Sequence, residues 1–432
     1  MANKILDKPN RSAVFSWWLY DFSTTAFFTS TIGVLFPLWI RDDMGGNDAT
    51  VTYTWAVAML INAILGPIFG ALSDNAKRRM PLLTAFSLIG IGTSFLIGTF
   101  NTISSSLILY AVGLIALHTA VVIYNSLIPE VSNKNNRGFI TAVGVGVGYI
   151  GALTTILLAV FIVDDTWGLG MGYVFGFRMT GVIMLITALP LLLLLKEKPK
   201  VVENISLGSI INYAFKDLIT TAIEAGKIPG LLMFFSGRFW YYLAIQTASV
   251  IAILFATDTV GLTTTEAMLV LIVGISVAIP FAPLWGKLND KIGPIKCMNV
   301  VLLGWVLNIL ATIAIPVLGL SPNIWWVIGI TSGIFTAGIW STDRPLLTYI
   351  TIENGGKSEG DIGKFFGLMS VTGRLSTVVG PFVWGLLVIT FGWGQTIGVA
   401  FLLISTIIAL FCFCLLYTSP SPRDGLLSRM PS

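Results

Sequence analysis

Asp21, His118, Arg178, Arg238, Asp343, Arg344 and Arg374 are ionisable side chains that fall within long apolar runs of this sequence. An ionisable group near the middle of a bilayer costs about 2.5–3.5 kcal/mol on insertion scales, so it usually faces a cavity or a partner. A carboxylate placed there can carry a proton, and a guanidinium can hold a carboxylate or phosphate through two parallel hydrogen bonds. Asp21, with Tyr20 beside it, stands one to two turns into the first run, and Arg238 stands near the matching place in the seventh. These opposite charges are expected either to pair between helices or to act on a solute. Arg374, well inside the eleventh run, is the better anion-binding candidate, whereas Asp343 and Arg344 close the tenth run and suit a gate. Arg178 can snorkel to the outer surface. His118, the single histidine, either packs through a hydrogen bond or relays a proton. Asn125 and Gln246, with Asn62, Tyr124 and Asn308, either line a polar route or hold helices together.

The elements that must position these groups are membrane helices. Hydrophobic residues make up 55% of the 432, charged residues only 11%, and mean hydropathy is +0.87. That is too little charge to coat a soluble globule of this size. Runs long enough to cross about 30 Å of hydrocarbon lie near 14–40, 51–73, 81–100, 104–128, 138–163 and 173–195, and again near 230–256, 266–286, 295–318, 324–349, 365–391 and 394–416. The expected architecture is an all-α polytopic membrane protein of about twelve transmembrane helices in two pseudo-symmetric six-helix bundles. With the N-terminus in the cytoplasm, Lys4, Lys8, Arg11, Lys77, Arg78, Arg79, Lys134, Arg137, Lys196, Lys198, Lys200, Lys216, Lys227, Lys287, Lys291, Lys296, Lys357 and Lys364 are inside, and only Arg41 is outside. The positive-inside rule therefore orients the chain. The first run is expected to act as a signal anchor rather than a cleaved leader.

A loop is repeated between runs. Gly70-Ala71-Leu72-Ser73-Asp74-Asn75-Ala76-Lys77-Arg78-Arg79 returns as Gly286-Lys287-Leu288-Asn289-Asp290-Lys291-Ile292-Gly293, displaced by 216 positions (286 − 70). An acid at a helix end, close to Arg78 or Lys291, can pair with a neighbouring helix end in one conformation and release it in another. Such exposed pairs contribute roughly 0–1 kcal/mol, enough to bias nearly balanced states. Gly70, Asp74, Arg78, Gly286, Asp290, Lys291, Asp343 and Arg344 are accordingly gating candidates, the alternative being that the charges only anchor loops and set topology.

The expected division is an N-terminal bundle over 1–195, a linker over 196–229, a C-terminal bundle over 230–413 and a tail over 414–432. The linker opens with Lys196-Glu197-Lys198-Pro199-Lys200, and its later part sets Ile210, Ile211, Ala214, Phe215, Leu218 and Ala222 at helical spacing, an amphipathic helix lying on the membrane surface. From Cys414 to Asp424 the residues are those encoded by a common transposase-type sequencing adapter, so the natural sequence is expected to be reliable only to about Phe413. Cys297, Cys412 and Cys414 show neither a disulfide framework nor metal-ligand spacing, and no metal or other cofactor is expected. The sequence lacks a His-Glu-x-x-His pair, a Gly-x-Ser-x-Gly elbow and a Walker-type loop, which argues against metal hydrolysis, serine chemistry and direct ATP use. A net charge of +4 is explained by membrane sidedness and gives no reason to expect a nucleic-acid partner.

The Gly-x-Leu-x-Asp-basic loop after the second and eighth runs, within a six-plus-six plan, resembles the major facilitator superfamily over residues 12–413. Trp18-Leu19-Tyr20-Asp21-Phe22, Asn125-Ser126-Leu127-Ile128-Pro129-Glu130, Arg344, Phe365-Phe366-Gly367 and Gly380-Pro381 are similar to the autophagy-linked vacuolar effluxer branch and its prokaryotic relatives. The resemblance implies a monomeric secondary transporter of a small solute in a prokaryotic cytoplasmic membrane. It would work by alternating access about a site near the bilayer midplane, with amino-acid efflux as the associated activity and a proton or sodium ion as coupling partner. A sugar or glycoside symporter also uses an early acid and a Ser-Asp loop like Ser73-Asp74, and a non-transporting receptor or lipid-handling protein on the same scaffold is a third reading. Gly144, Gly146, Gly148 and Gly151, like Gly367, Gly373, Gly380 and Gly385, allow close helix approach. The fifth run lacks the Gly-Pro ending usual in drug antiporters of the superfamily.

Overall fold

The computed structural model describes residues 11–74, 78–100, 102–132, 137–163, 168–195, 197, 207–354 and 362–418. Apolar side chains on every face, rather than on one stripe, make these segments helices that lipid and neighbouring helices can both cover. Among the described residues they are α1 (Arg11–Asp42), α2 (Asp48–Asp74), α3 (Met80–Leu96), α4 (Ile103–Ser126), α5 (Arg137–Val163) and α6 (Gly172–Leu194). After α7 (Leu207–Ala225) come α8 (Leu231–Val260), α9 (Thr264–Ile292), α10 (Pro294–Leu318), α11 (Ile324–Ile352), α12 (Lys364–Thr390) and α13 (Gln395–Thr418). Eleven of the helices are long and apolar enough to cross a membrane, and α3 is a shorter apolar helix.

The chain divides into two compact units. The first comprises Met1–Gly46 and Ile64–Ala214, the second Asn47–Ala63 and Phe215–Ser432, so the opening half of α2 groups with the second unit. In the first unit α1 packs on α5 and α6, and α3 packs on α4 and α6. In the second unit α8 packs on α12 and α13, α10 on α11 and α13, and α9 on α11.

Local signals set the helix ends. Thr263 caps α9 in a reciprocal capping box: its hydroxyl accepts from the Glu266 N–H at 3.2 Å, and the Glu266 carboxylate accepts from the Thr263 N–H at 2.9 Å. This satisfies donors a helix start leaves open. Gly293 ends the second copy of the repeated loop at φ +85°, and its N–H donates to the Asn289 carbonyl at 2.9 Å. A side chain at that angle would be strained, which explains the terminal glycine of that copy.

Helix α7 realises the helical part of the linker. Thr221 and Ala225 are buried, Ile219 and Ile223 are exposed, and Glu224 accepts from Lys364 at the start of α12 at 2.6 Å. The linker's earlier basic run, apart from Glu197, lies outside the described residues, as do 419–432 of the tail. Helix α13 itself runs through Cys414 to Thr418, with Leu416 buried.

Candidate functional site

In the first unit, α1, α3, α4 and α5 bring a carboxylate together with aromatic rings. Trp17 stacks on Tyr124 with ring centroids 4.5 Å apart, and Tyr20 lies 4.8 Å from the same ring. Tyr20 shares a 2.6 Å hydroxyl contact with Ser87. The Tyr124 hydroxyl donates to the Trp17 carbonyl at 2.9 Å. Asp21 is half-buried and presses on the backbone of α5, where a Cβ on Gly144 would lie 2.7 Å from its Oδ2. Glycine is therefore required at 144 for the carboxylate to occupy this place. His118 packs on the Phe28 ring at 4.6 Å, and Asn125 is exposed at the end of α4.

In the second unit Arg238 is 5% exposed and Asp343 2%. The Arg238 Nε donates to both carboxylate oxygens, at 3.2 and 3.0 Å, and a terminal nitrogen donates to the Met369 carbonyl at 2.9 Å. Tyr241 donates its hydroxyl to the same carboxylate, and the Arg238 guanidinium stacks 4.6 Å over Tyr242. Two expectations change here. The carboxylate partner of Arg238 is Asp343, not Asp21. Asp343 is locked into this pair and does not serve with Arg344 as a charge at a helix end. Adjacent residues on a helix point about 100° apart, so Asp343 turns into the unit while Arg344 is exposed. The likeness of Asp21 and Arg238 survives in another form: each lies against a glycine, Gly144 for the first and Gly373 for the second, where a Cβ would come 3.0 Å from an Arg238 nitrogen.

Arg374 is half-buried, and its guanidinium approaches the Asn62 carbonyl at 3.5 Å, the outer limit of a hydrogen bond. Among the described residues no carboxylate lies within ion-pair distance of it. Gln246, half-buried, stands one turn beyond Tyr242 on α8.

The repeated loops hold their helices through neutral and backbone contacts. In the first copy Ser73 and Ser126 approach at 3.5 Å, joining α2 to α4. In the second, Asn289 donates to the Thr342 hydroxyl and the Ser341 carbonyl, both at 3.1 Å, joining α9 to α11. The two contacts are related by the same 216-residue displacement (289 − 73 and 342 − 126). Gly70 and Gly286 are half-buried on their helices, while Asp290 and Lys291 are exposed. The side chain of Asp74 and residues 75–77 lie outside what is described.

Arg78 is exposed, whereas its neighbour Arg79 is 8% exposed and donates to the Ser73 carbonyl at 3.4 Å and to that of Ser126. Glu197, which follows α6, accepts from the Arg79 and Met80 N–H groups, the latter at 3.1 Å. It thereby places a carboxylate at the start of α3, where the helix dipole favours it. Sequence reasoning passed over Glu197 because it sits in a basic run that looks like solvated linker. Glu197→Ala should cost about 1–2 kcal/mol, as loss of a helix cap does, read as a lowered midpoint of thermal unfolding in detergent; an unchanged midpoint would remove Glu197 from this role.

Helical membrane units carrying a repeated loop of this kind are the architecture of major facilitator transporters. The fold matches that of the nucleoside transporter NupG, with TM-score 0.70 and 13% identity over 94% of this chain and 100% of that one. It also matches the xylose transporter XylE from E. coli, with TM-score 0.65 and 15% identity over 95% and 97%.

The chain belongs to the vacuole effluxer Atg22-like family, whose model matches residues 46–425. An uncharacterized MFS-type transporter, YxiO of Bacillus subtilis, is 21% identical over 387 residues, covering 85% of this chain and 86% of the relative. Autophagy-related protein 22 of Yarrowia lipolytica is 27% identical over 286 residues, covering 58% of this chain and 45% of that one. The protein is thus a multi-pass integral membrane protein of a transporter family.

Proposed function

We propose that the protein is a proton-coupled secondary carrier that exports small carboxylate-bearing solutes, amino acids among them, by alternating access. The observation that carries the reading is Asp21: a half-buried carboxylate within an apolar helix, set against Gly144. A group that costs about 2.5–3.5 kcal/mol to place in a membrane is retained where its charge is used. Protonation removes that charge and changes the cost of holding the side chain against α5, so proton binding changes what α1 and α5 favour. Arg374 supplies the complementary group for the cargo, a guanidinium whose planar fork matches a carboxylate. The excess of Lys and Arg on one side of the helices supports a cytoplasmic N-terminus in a prokaryotic inner membrane, with the repeated loops on the cytoplasmic face.

The test is transport in proteoliposomes under an imposed pH gradient. Asp21→Asn should lower gradient-driven accumulation by roughly tenfold, within the usual 5–150-fold range of coupling between two ligands, while solute exchange without a gradient continues. Accumulation equal to the parent, with the same pH dependence, would exclude Asp21 as the coupling group.

A further inference from the structure

The second unit holds more positive charge within its helices than its buried ion pair consumes. Asp343 neutralises Arg238. Arg344 and Arg374 have no such partner, because no carboxylate among the described residues lies within ion-pair distance of either. At 1.5 Å per residue both stand about 12–15 Å from the nearer ends of their helices, Arg344 from Ile352 and Arg374 from Lys364, and Tyr242 stands about 16 Å from Leu231. These three ends share one side of the membrane, so the groups lie at similar depth.

Tyr242 packs against both helices that carry these arginines. Trp340 of α11 meets it edge-on with centroids 5.6 Å apart. From α12, Gly373 approaches so closely that a Cβ there would be 3.5 Å from the Tyr242 Cε1. Arg344 is one turn beyond Trp340, and helical side chains lean toward the N-terminus, here toward Trp340. Arg374 directly follows Gly373. Arg344 and Arg374 thus stand on the two helices that pack on the Tyr242 ring. The surface is reachable: Trp340 is 38% exposed, Arg344 is exposed, and Tyr242, Gln246 and Arg374 are half-buried.

We infer that this face binds a small solute with two carboxylates, the two acidic groups held separately by Arg344 and Arg374 beside the Tyr242 ring. The inference rests on the carrier reading above and narrows its cargo to solutes such as acidic amino acids and dicarboxylic acids. A solute with a single carboxylate would leave one guanidinium uncompensated in a medium where charge interactions are stronger than in water. A compact phosphoryl group would place its charge at one point, whereas the guanidiniums arise from different helices that pack on one ring. Each planar fork can then take one carboxylate.

Binding of succinate, glutamate, butyrate, leucine and inorganic phosphate to the purified full chain, by calorimetry, tests this. Succinate and glutamate should bind at least about tenfold more tightly than butyrate and leucine, one decade of Kd. Arg344→Gln changes an exposed side chain; it should bring succinate down to the level of butyrate, while Arg344→Lys should keep part of the preference. Arg374→Gln should weaken both. Equal affinity for succinate and butyrate, or a preference that Arg344→Gln does not touch, overturns the inference, and so does phosphate binding as tightly as succinate. Leucine flux in proteoliposomes without any preference for a second carboxylate would overturn the two-carboxylate site and leave the carrier reading standing. Neither flux nor binding of any carboxylate would remove both.

Discussion

Asp343→Asn should destabilise the protein by about 3–5 kcal/mol, the usual cost of removing one partner from a buried ion pair. Arg238 is inside the second unit with 6% of its side chain exposed, and its remaining acceptors, the Met369 carbonyl and the amide oxygen of the substituted side chain, carry no charge. The guanidinium cannot shed its proton to escape, since arginine stays charged in proteins. The loss therefore comes chiefly from an uncompensated buried charge rather than from the missing attraction. That distinction is measurable: Arg238→Met combined with Asp343→Leu removes both charges and should recover much of the stability lost in the single variant. Thermal unfolding in detergent, followed by tryptophan fluorescence, reports both. A single variant within about 0.5 kcal/mol of the parent, the range of unremarkable surface changes, would show that the pair does not hold the unit together.

The second large effect is expected at Gly333. A Cβ there would fall on the carbonyl oxygen of Gly274, 2.8 Å from its carbon and 3.1 Å from its Cα, and a Cβ on Gly274 would lie 2.9 Å from the Gly329 carbonyl oxygen. Helices α9 and α11 thus meet backbone to backbone, and no rotamer change can make room. Gly333→Leu should cost about 3 kcal/mol, the upper part of the usual range for overpacking. Gly367→Ala is the contrast: nothing lies within 4 Å of its Cβ position, so trading glycine for alanine in that helix should be neutral or stabilising by up to about 1 kcal/mol. Equal midpoints for the two variants would rule out close packing of α9 on α11 as a source of stability.

Much of the fold was legible in the residues themselves. Each membrane-crossing run announces itself through composition alone, because the cost of hydrocarbon immersion is summed over about 20 consecutive residues and needs no knowledge of neighbours. The repeated loop located corresponding helix ends, and the contacts Ser73–Ser126 and Asn289–Thr342 fall on its displacement although neither had been singled out. The glycines of α5 and α12 were expected to allow close approach. Gly144 and Gly373 do so beside the two charges, whereas Gly274, Gly329 and Gly333 went unnoticed among other small residues.

The site was less legible, for a reason particular to membranes. In a soluble helix a polar stripe marks the outside, but in lipid both the outside and the packed face are apolar. The rotation of a helix about its axis is therefore not written in its pattern. Asp343 and Arg344 are neighbours in sequence, and nothing in their types says that the first turns inward to Arg238 while the second stays exposed. Arg78 and Arg79 pose the same problem, since only the buried one reaches the Ser73 and Ser126 carbonyls.

The amino-acid sequence by itself determined that this chain is a polytopic helical membrane protein, where its long apolar segments lie, and which ionisable groups fall within them. These follow from transfer energies and turn chemistry, which are local. Only the tertiary structure decided what each charge lies against: Arg238 with Asp343, Asp21 against Gly144, and Arg344 and Arg374 without a carboxylate of their own among the described residues. Those pairings depend on how each helix is rotated and on which glycine lets its neighbour come close, and both are settled by packing between segments a hundred or more residues apart.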